Sequence, residues 1–282
     1  MPNRATSDPV RPPAEGGPAE PDRRAAPAGA PVRLYGVVLA SLGGDGLPDG
    51  LPDDLALTPY RSIAGLIRPA PTDQARRVRE YLLGYAEVLD RVAGAAPVLP
   101  VRFGTTLPSQ ADVVNQVLAP EHDLLHRRLT ALAGKAQFMV RARYHDAVLI
   151  REVLARWPEA ARLHRHVGRA PPGVADPRRL RLGELVAHGV AVQRESDLGL
   201  LGRELAGHAV ATAPRPVPAS PGDRLGDVAF LVELARGEEF ETAVAEVAAR
   251  WRERVRLRLL GPMAPYDFVA EALDGLITGR GR

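Results

Sequence analysis

His122 and His126, four apart in the run HDLLH, come closest in this chain to residues whose type and spacing could do chemistry. On a helix that spacing puts both imidazoles on one face, where a pair can chelate zinc, with Asp123 placed like the general base of a metalloprotease helix. Asp123 is a methylene shorter than the usual Glu, and the sequence identifies no third ligand. Leu124 and Leu125 are explained by packing, so the competing reading is a polar helix face. His164 and His166, two apart, point about 200° apart on a helix and form no ligand pair. His145, His188 and His208 are isolated.

Gly43, Gly44 and Gly46 precede no Lys-Ser/Thr and open no clear helix, so they read as a loop and satisfy neither phosphate-binding fingerprint. There is no G-x-S-x-G elbow, and the absence of cysteine removes disulfides, thiolate metal sites and thiol nucleophiles. No carboxylate pair is singled out among the many Asp and Glu. The residues point away from an enzyme, and no cofactor is expected.

A second chemistry is carried by charge. Arg254, Arg256 and Arg258 alternate with Val255, Leu257 and Leu259, and a period of two sends arginines to one sheet face and aliphatics to the other. Such a stripe can meet an acidic partner through paired hydrogen bonds to carboxylates, or it can be the wet side of a one-sided sheet. Upstream, Phe240, Ala243, Val244, Val247, Ala248 and Trp251 mark one face of a helix over 238–252 that can pack on that strand.

The elements that must position these residues follow from pattern. Residues 1–31 are dominated by Pro, Ala, Gly and Arg and read as a disordered tail. Strands are expected at Leu34 to Ser41, Tyr60 to Arg68 and Pro97 to Thr105, the last at an edge or bulge because of Pro100. Between the last two, Thr72 caps a helix faced by Ala75, Val78, Leu82, Tyr85, Leu89 and Val92. Ser109 and Asp112 make a capping box, Pro120 starts a further helix, and Gly134 is its C-terminal cap and the domain boundary.

Beyond Gly134 come a strand at Lys135 to Tyr144, and a helix capped by Asp146 and faced by Leu149, Ile150, Val153, Leu154 and Trp157. Helical segments follow at 159–167 and 177–205, then strands at Ala209 to Val217 and Gly226 to Glu233, the Phe240 helix and the Arg254 strand. The order β-α-β-β-α-β, with a helical insertion at about 158–206, is the ferredoxin-like pattern. The expectation is an α+β chain of two domains, 32–133 and a ferredoxin-like 134–270, with a C-terminal tail at 271–282.

Composition agrees with a globular protein: 45% of 282 residues are hydrophobic and 25% charged. The net charge of +3 is almost all arginine, since Lys135 is the only lysine, and acidic residues are interspersed throughout. That pattern argues against a nucleic-acid footprint. No run of eighteen apolar residues offers a membrane span, and no signal-peptide core is present, so a cytoplasmic location is expected.

Three segments together resemble the gas vesicle protein L/F family (GvpL/GvpF). Leu34-Tyr35-Gly36-Val37-Val38 is similar to its opening strand. Val98, Leu99, Pro100, Val101, Arg102, Phe103, Gly104 and Thr105 resemble its V-L-P-V-R-F-G-T core. Gly261, Pro262, Pro265, Tyr266 and Phe268 resemble its closing G-P-x-P-P-Y-x-F, with Ala264 in place of a second proline and Met263 and Asp267 as further departures. The resemblance implies a non-enzymatic accessory component of gas vesicles. Its partners would be the small hydrophobic shell protein and other gas vesicle accessory proteins, with no nucleic acid, membrane or small-molecule substrate. Two other readings compete: a ferredoxin-like RNA-binding or regulatory module, with Phe138 and Phe230 as stacking candidates, and a metal-dependent hydrolase centred on His122 and His126.

Overall fold

The computed structural model describes residues 29–70, 78–145, 148–169, 176–216 and 222–269. The chain runs β1 (Val32–Leu39), α1 (Ser41–Asp45), β2 (Ala56–Tyr60), β3 (Ile63–Pro69), α2 (Val78–Ala93), β4 (Val98–Pro100), β5 (Thr106–Leu107), α3 (Gln110–Asp112), a π-helical segment Val113–Leu118 and α4 (His122–Leu132). There follow β6 (Lys135–Tyr144), α5 (Val148–Arg156), α6 (Pro158–Val167), α7 (Pro177–Leu205), β7 (Ala211–Pro216), β8 (Arg224–Glu233), α8 (Gly237–Trp251) and β9 (Val255–Met263). The fold is mixed α and β with two antiparallel sheets.

The first sheet has the order β2-β3-β1-β4, with β5 also on β1. β1 is buried along nearly its whole length because both faces are covered. Tyr35 and Val38 meet Tyr85, Val88, Leu89 and Val92 of α2, while Leu34 and Val37 meet Val113, Val117 and Leu118 of the π segment and Leu125 and Leu129 of α4. A register shift between Leu34 and Gly36 leaves both Tyr35 and Gly36 toward α2 and returns Val37 to the face of Leu34. A Cβ on Gly36 would stand 2.8 Å from the Leu99 carbonyl oxygen, so only glycine allows β4 so close.

In the second sheet, of order β7-β8-β6-β9, one face carries a core of Phe138, Val140, Val228, Phe230, Phe240, Val244, Val247, Trp251 and Val255, with Leu198, Leu201 and Leu205 of α7. Half of the opposite face is also covered, since Leu231 and Ala211 join the core beneath β1, β3 and α4. The closing segment completes the connection: Ala264 and Tyr266 enter the α2 side of the first sheet, and Phe268 and Val269 enter the α4 side.

Several expectations need correction. Of the stretch expected as one strand over Pro97 to Thr105, only Val98–Pro100 is strand; a turn in which the Thr105 N–H and hydroxyl both donate to the Arg102 carbonyl then leads to β5, which also pairs with β1. The strand expected over Tyr60 to Arg68 is a hairpin: β2, for which no strand is expected before Tyr60, pairs with β3 across Arg61 and Ser62, and its Pro59 is tolerated because β2 is an edge strand. Gly43 belongs to the helical turn α1 rather than to a loop. Leu82 and Ile150, expected to face a core, are 47% and 40% exposed. Ser109 does cap α3, accepting from the Asp112 N–H at 3.2 Å, but the Asp112 carboxylate takes the Ser109 hydroxyl rather than a backbone donor. Thr72, Ala75 and Asp146 lie outside the described residues.

Candidate partner-docking face

Arg256 and Arg258 project from β9 onto the uncovered half of the second sheet, away from the helices. Arg254 parts from them. It precedes the strand, and its guanidinium turns to Glu152 of α5 (Nη2 to Oε2, 2.8 Å) and to Asp197 of α7 (Nη1 to Oδ1, 3.0 Å), over the Tyr144 ring. Hydrogen bonds donated to Glu152, and then to Asp197, hold the Arg254 pKa above its usual value against the opposing effect of burial. The buried Tyr144 hydroxyl donates to Asp197, and burial raises its pKa as well. Arg254 is therefore an internal tie between α5, α7 and β9, and the three-arginine stripe expected from the alternation is reduced to two.

The register supplies other members from distant segments. Arg141 of β6 lies opposite Arg258, and Arg143 opposite Arg256. On its other side Arg143 faces Arg224, while Arg141 faces Asp227, which in turn faces Arg215 of β7. Two rows thus cross the sheet, one reading Arg215, Asp227, Arg141, Arg258 and the other Arg224, Arg143, Arg256. The Asp227 carboxylate, 6% exposed, takes Arg224 at 2.7 Å and Arg141 at 3.5 Å. Asp223 takes Arg143 at 3.2 Å, and Asp267 takes Arg215 at 3.3 Å. Among the described residues, Arg256 and Arg258 have no such partner.

The motif residues are structural: those of the first motif fill the cores of the first sheet, and those of the closing motif tie the end of β9 to α2 and β6. In the V-L-P-V-R-F-G-T segment, Leu99 and Val101 are core, Phe103 packs edge-on against Tyr85 at 5.3 Å, and the Tyr85 hydroxyl donates to the Tyr35 and Val101 carbonyls. Arg33 lies over Tyr81 and Phe103. In the closing segment a Cβ on Gly261 would stand 3.0 Å from the Gln137 carbonyl oxygen. The Ala264 N–H donates to Asp90 at 2.9 Å, a bond that a proline in its place could not make. Asp267 accepts from the Gln137 amide at 2.6 Å while its N–H donates to Gln137 Oε1 at 3.0 Å, so this departure from the family pattern is a tie between β6 and the closing turn.

His122 and His126 stack with ring centroids 6.1 Å apart and 9° between planes, which does not converge their nitrogens on one point. His122 Nε2 lies 3.0 Å from Ser62 Oγ in the β2–β3 hairpin and its Nδ1 2.8 Å from the neighbouring Asp123 of α4, so both nitrogens already have partners. Replacing both histidines by Ala is expected to cost about 1 kcal/mol in a chemical melt, the scale of one lost hydrogen bond. A loss of stoichiometric zinc from the double variant would contradict this. Phe138 and Phe230 lie in the helix-covered core and offer no stacking surface.

The model of the family described as "Gas vesicle synthesis protein GvpL/GvpF" matches residues 32–270. The chain belongs to the GvpL/GvpF family. Gas vesicle protein F of Streptomyces sp. (strain CB03234) is 33% identical over 243 residues, covering 84% of this chain and 98% of that protein. Gas vesicle protein F of Microcystis aeruginosa (strain PCC 7806) is 22% identical over 247 residues, covering 83% and 96%. The crystal structures of GvpF from Anabaena sp. PCC7120 and from Microcystis aeruginosa share the fold, with TM-scores of 0.63 and 0.65 at 21% and 20% identity, each covering 85% of this chain and 98% of the other. GvpL/GvpF proteins are structural or accessory gas vesicle proteins and not known enzymes, and membership ties this chain to gas vesicle assembly. No helix among the described residues is long and apolar enough to cross a membrane.

Proposed function

We propose that this chain is a cytoplasmic, gas-vesicle-associated accessory or minor structural protein that binds the small hydrophobic shell protein during nucleation or growth. The observation that carries this reading is the family match over 32–270, which spans nearly all of the described fold. Shape supports it: β2, β4, β7 and β9 end their sheets, and unpaired strand edges are where an extended, aggregation-prone segment can be held. An open cleft of about 530 Å³ beside α1 is lined by Leu39, Leu42, Leu47, Pro48 and Pro97 together with Ser41 and Asp49.

The same reading divides the chain at Gly134. The order β7-β8-β6-β9 supports a ferredoxin-like second domain whose first crossover is enlarged by α6 and α7. Its closing segment anchors it in a first domain of 32–133. Affinity capture of the tagged chain from gas-vesicle-forming cells should co-purify the shell protein at levels well above an untagged control. Recovery equal to that control would overturn the proposal.

A further inference from the structure

We propose that the arginine face of the second sheet is a binding surface for a short acidic polypeptide segment, recognised through its carboxylates. This deepens the assembly reading and rests on it only for the setting in which such a segment is met.

The first argument is local cost. Residues directly opposite across antiparallel strands have Cβ atoms about 5 Å apart, and like charges there repel. This sheet places Arg143 opposite both Arg224 and Arg256, and Arg141 opposite Arg258. Edge protection does not explain the arrangement. Charges that guard an exposed strand belong on the edge, whereas Arg141 and Arg143 sit on β6, an interior strand. Nor does internal pairing neutralise it. Asp223, Asp227 and Asp267 take Arg143, Arg141 with Arg224, and Arg215, leaving Arg256 and Arg258 without ion pairs among the described residues.

The partner's chemistry follows from charge and spacing. Arg256 and Arg258 are two apart on one strand, roughly 7 Å, which is the repeat of alternate side chains in an extended segment. Carboxylates at that repeat can each take a guanidinium fork. A nucleic acid fits less well. The buried carboxylate of Asp227 sits among the arginines, and the row that flanks them on this face is Ala213, Ala229, Met139 and Leu260 rather than aromatic rings on which bases stack.

The test uses the full chain and a fluorescent ten-residue peptide of alternating Glu and Ser. Controls are its Gln counterpart and a single-stranded DNA of similar length, all followed by anisotropy at low and high salt. The Glu peptide should bind, weaken with salt, and exceed the Gln peptide at least tenfold. Arg256→Gln with Arg258→Gln should reduce that affinity at least tenfold with an unchanged melting curve, and Arg256→Glu with Arg258→Glu should abolish it. Equal affinity for the Glu and Gln peptides, undiminished binding by both double variants, or tighter binding of the DNA would overturn the proposal. Capture of the shell protein is read separately. Peptide binding without shell-protein capture supports the acidic-segment surface while removing the assembly reading, whereas capture without peptide binding overturns this inference alone.

Discussion

Phe240→Ala is expected to lower stability by about 3 to 5 kcal/mol, the range for emptying a fully buried aromatic position. Phe240 has no exposed surface and lies 5.4 Å from Phe138 and 5.2 Å from Phe230, measured between ring centroids. It is where α8 enters the sheet core, so truncation removes contacts with β6 and β8 together, and main-chain hydrogen bonds on both sides keep the gap from closing. Denaturant unfolding should show a lower midpoint with an unchanged slope. Leu83→Ala serves as the control, because Leu83 is 63% exposed and its loss should stay within about 0.5 kcal/mol. A Phe240→Ala effect as small as the control's would mean that α8 does not hold the sheet.

That prediction rests on an element whose packing was legible. Phe240, Ala243, Val244, Val247 and Trp251 carry the helical period, and all are buried on the sheet, because an amphipathic helix can satisfy its pattern in only one orientation. α6 and α7 were legible for another reason: each has a proline at its first turn, where the missing donor costs nothing. β2 and β5 were not legible. Five and two residues long, they are strands only because β3 and β1 offer them ladders, and no pattern within either segment announces such a partner.

The docking face was legible in part, on the same grounds. Arg256 and Arg258 were visible as alternation inside β9, and Arg141 with Arg143 show the same alternation at the end of β6. Their cross-strand rows depend on register, which comes from a bulge near Arg143 and another between Gln137 and Met139. Arg254 misled because the period of two continues one residue beyond the strand. Alternation fixes a face only while the chain is in the ladder, and β9 begins at Val255. The closing motif was recognisable in sequence, but its task of fastening the second sheet into both cores of the first was not, since Asp90 and Gln137 are 174 and 130 residues from their partners Ala264 and Asp267.

Arg254→Ala should separate the internal arginine from those on the face, with an expected loss of about 2 to 3 kcal/mol. Removing one member of a buried ion pair costs about 3 to 5 kcal/mol because the remaining charge stays out of water. The lower figure applies here because the Arg254 side chain is 28% exposed and solvent screens part of the interaction. The remaining Asp197, 6% exposed, would keep the Tyr144 hydroxyl and the Gln193 amide as hydrogen-bond donors but would lose its countercharge, and Glu152 would face it across the gap. A cycle with Asp197→Asn should therefore give a coupling above about 1 kcal/mol, as expected for residues sharing one network. Arg256→Ala, which breaks no ion pair among the described residues, should shift stability by less than about 0.5 kcal/mol. Equal, small losses for Arg254→Ala and Arg256→Ala in the same denaturant titration would return Arg254 to the surface stripe, whereas a large loss with strong coupling to Asp197 fixes it as the tie that holds α5 and α7 against the start of β9.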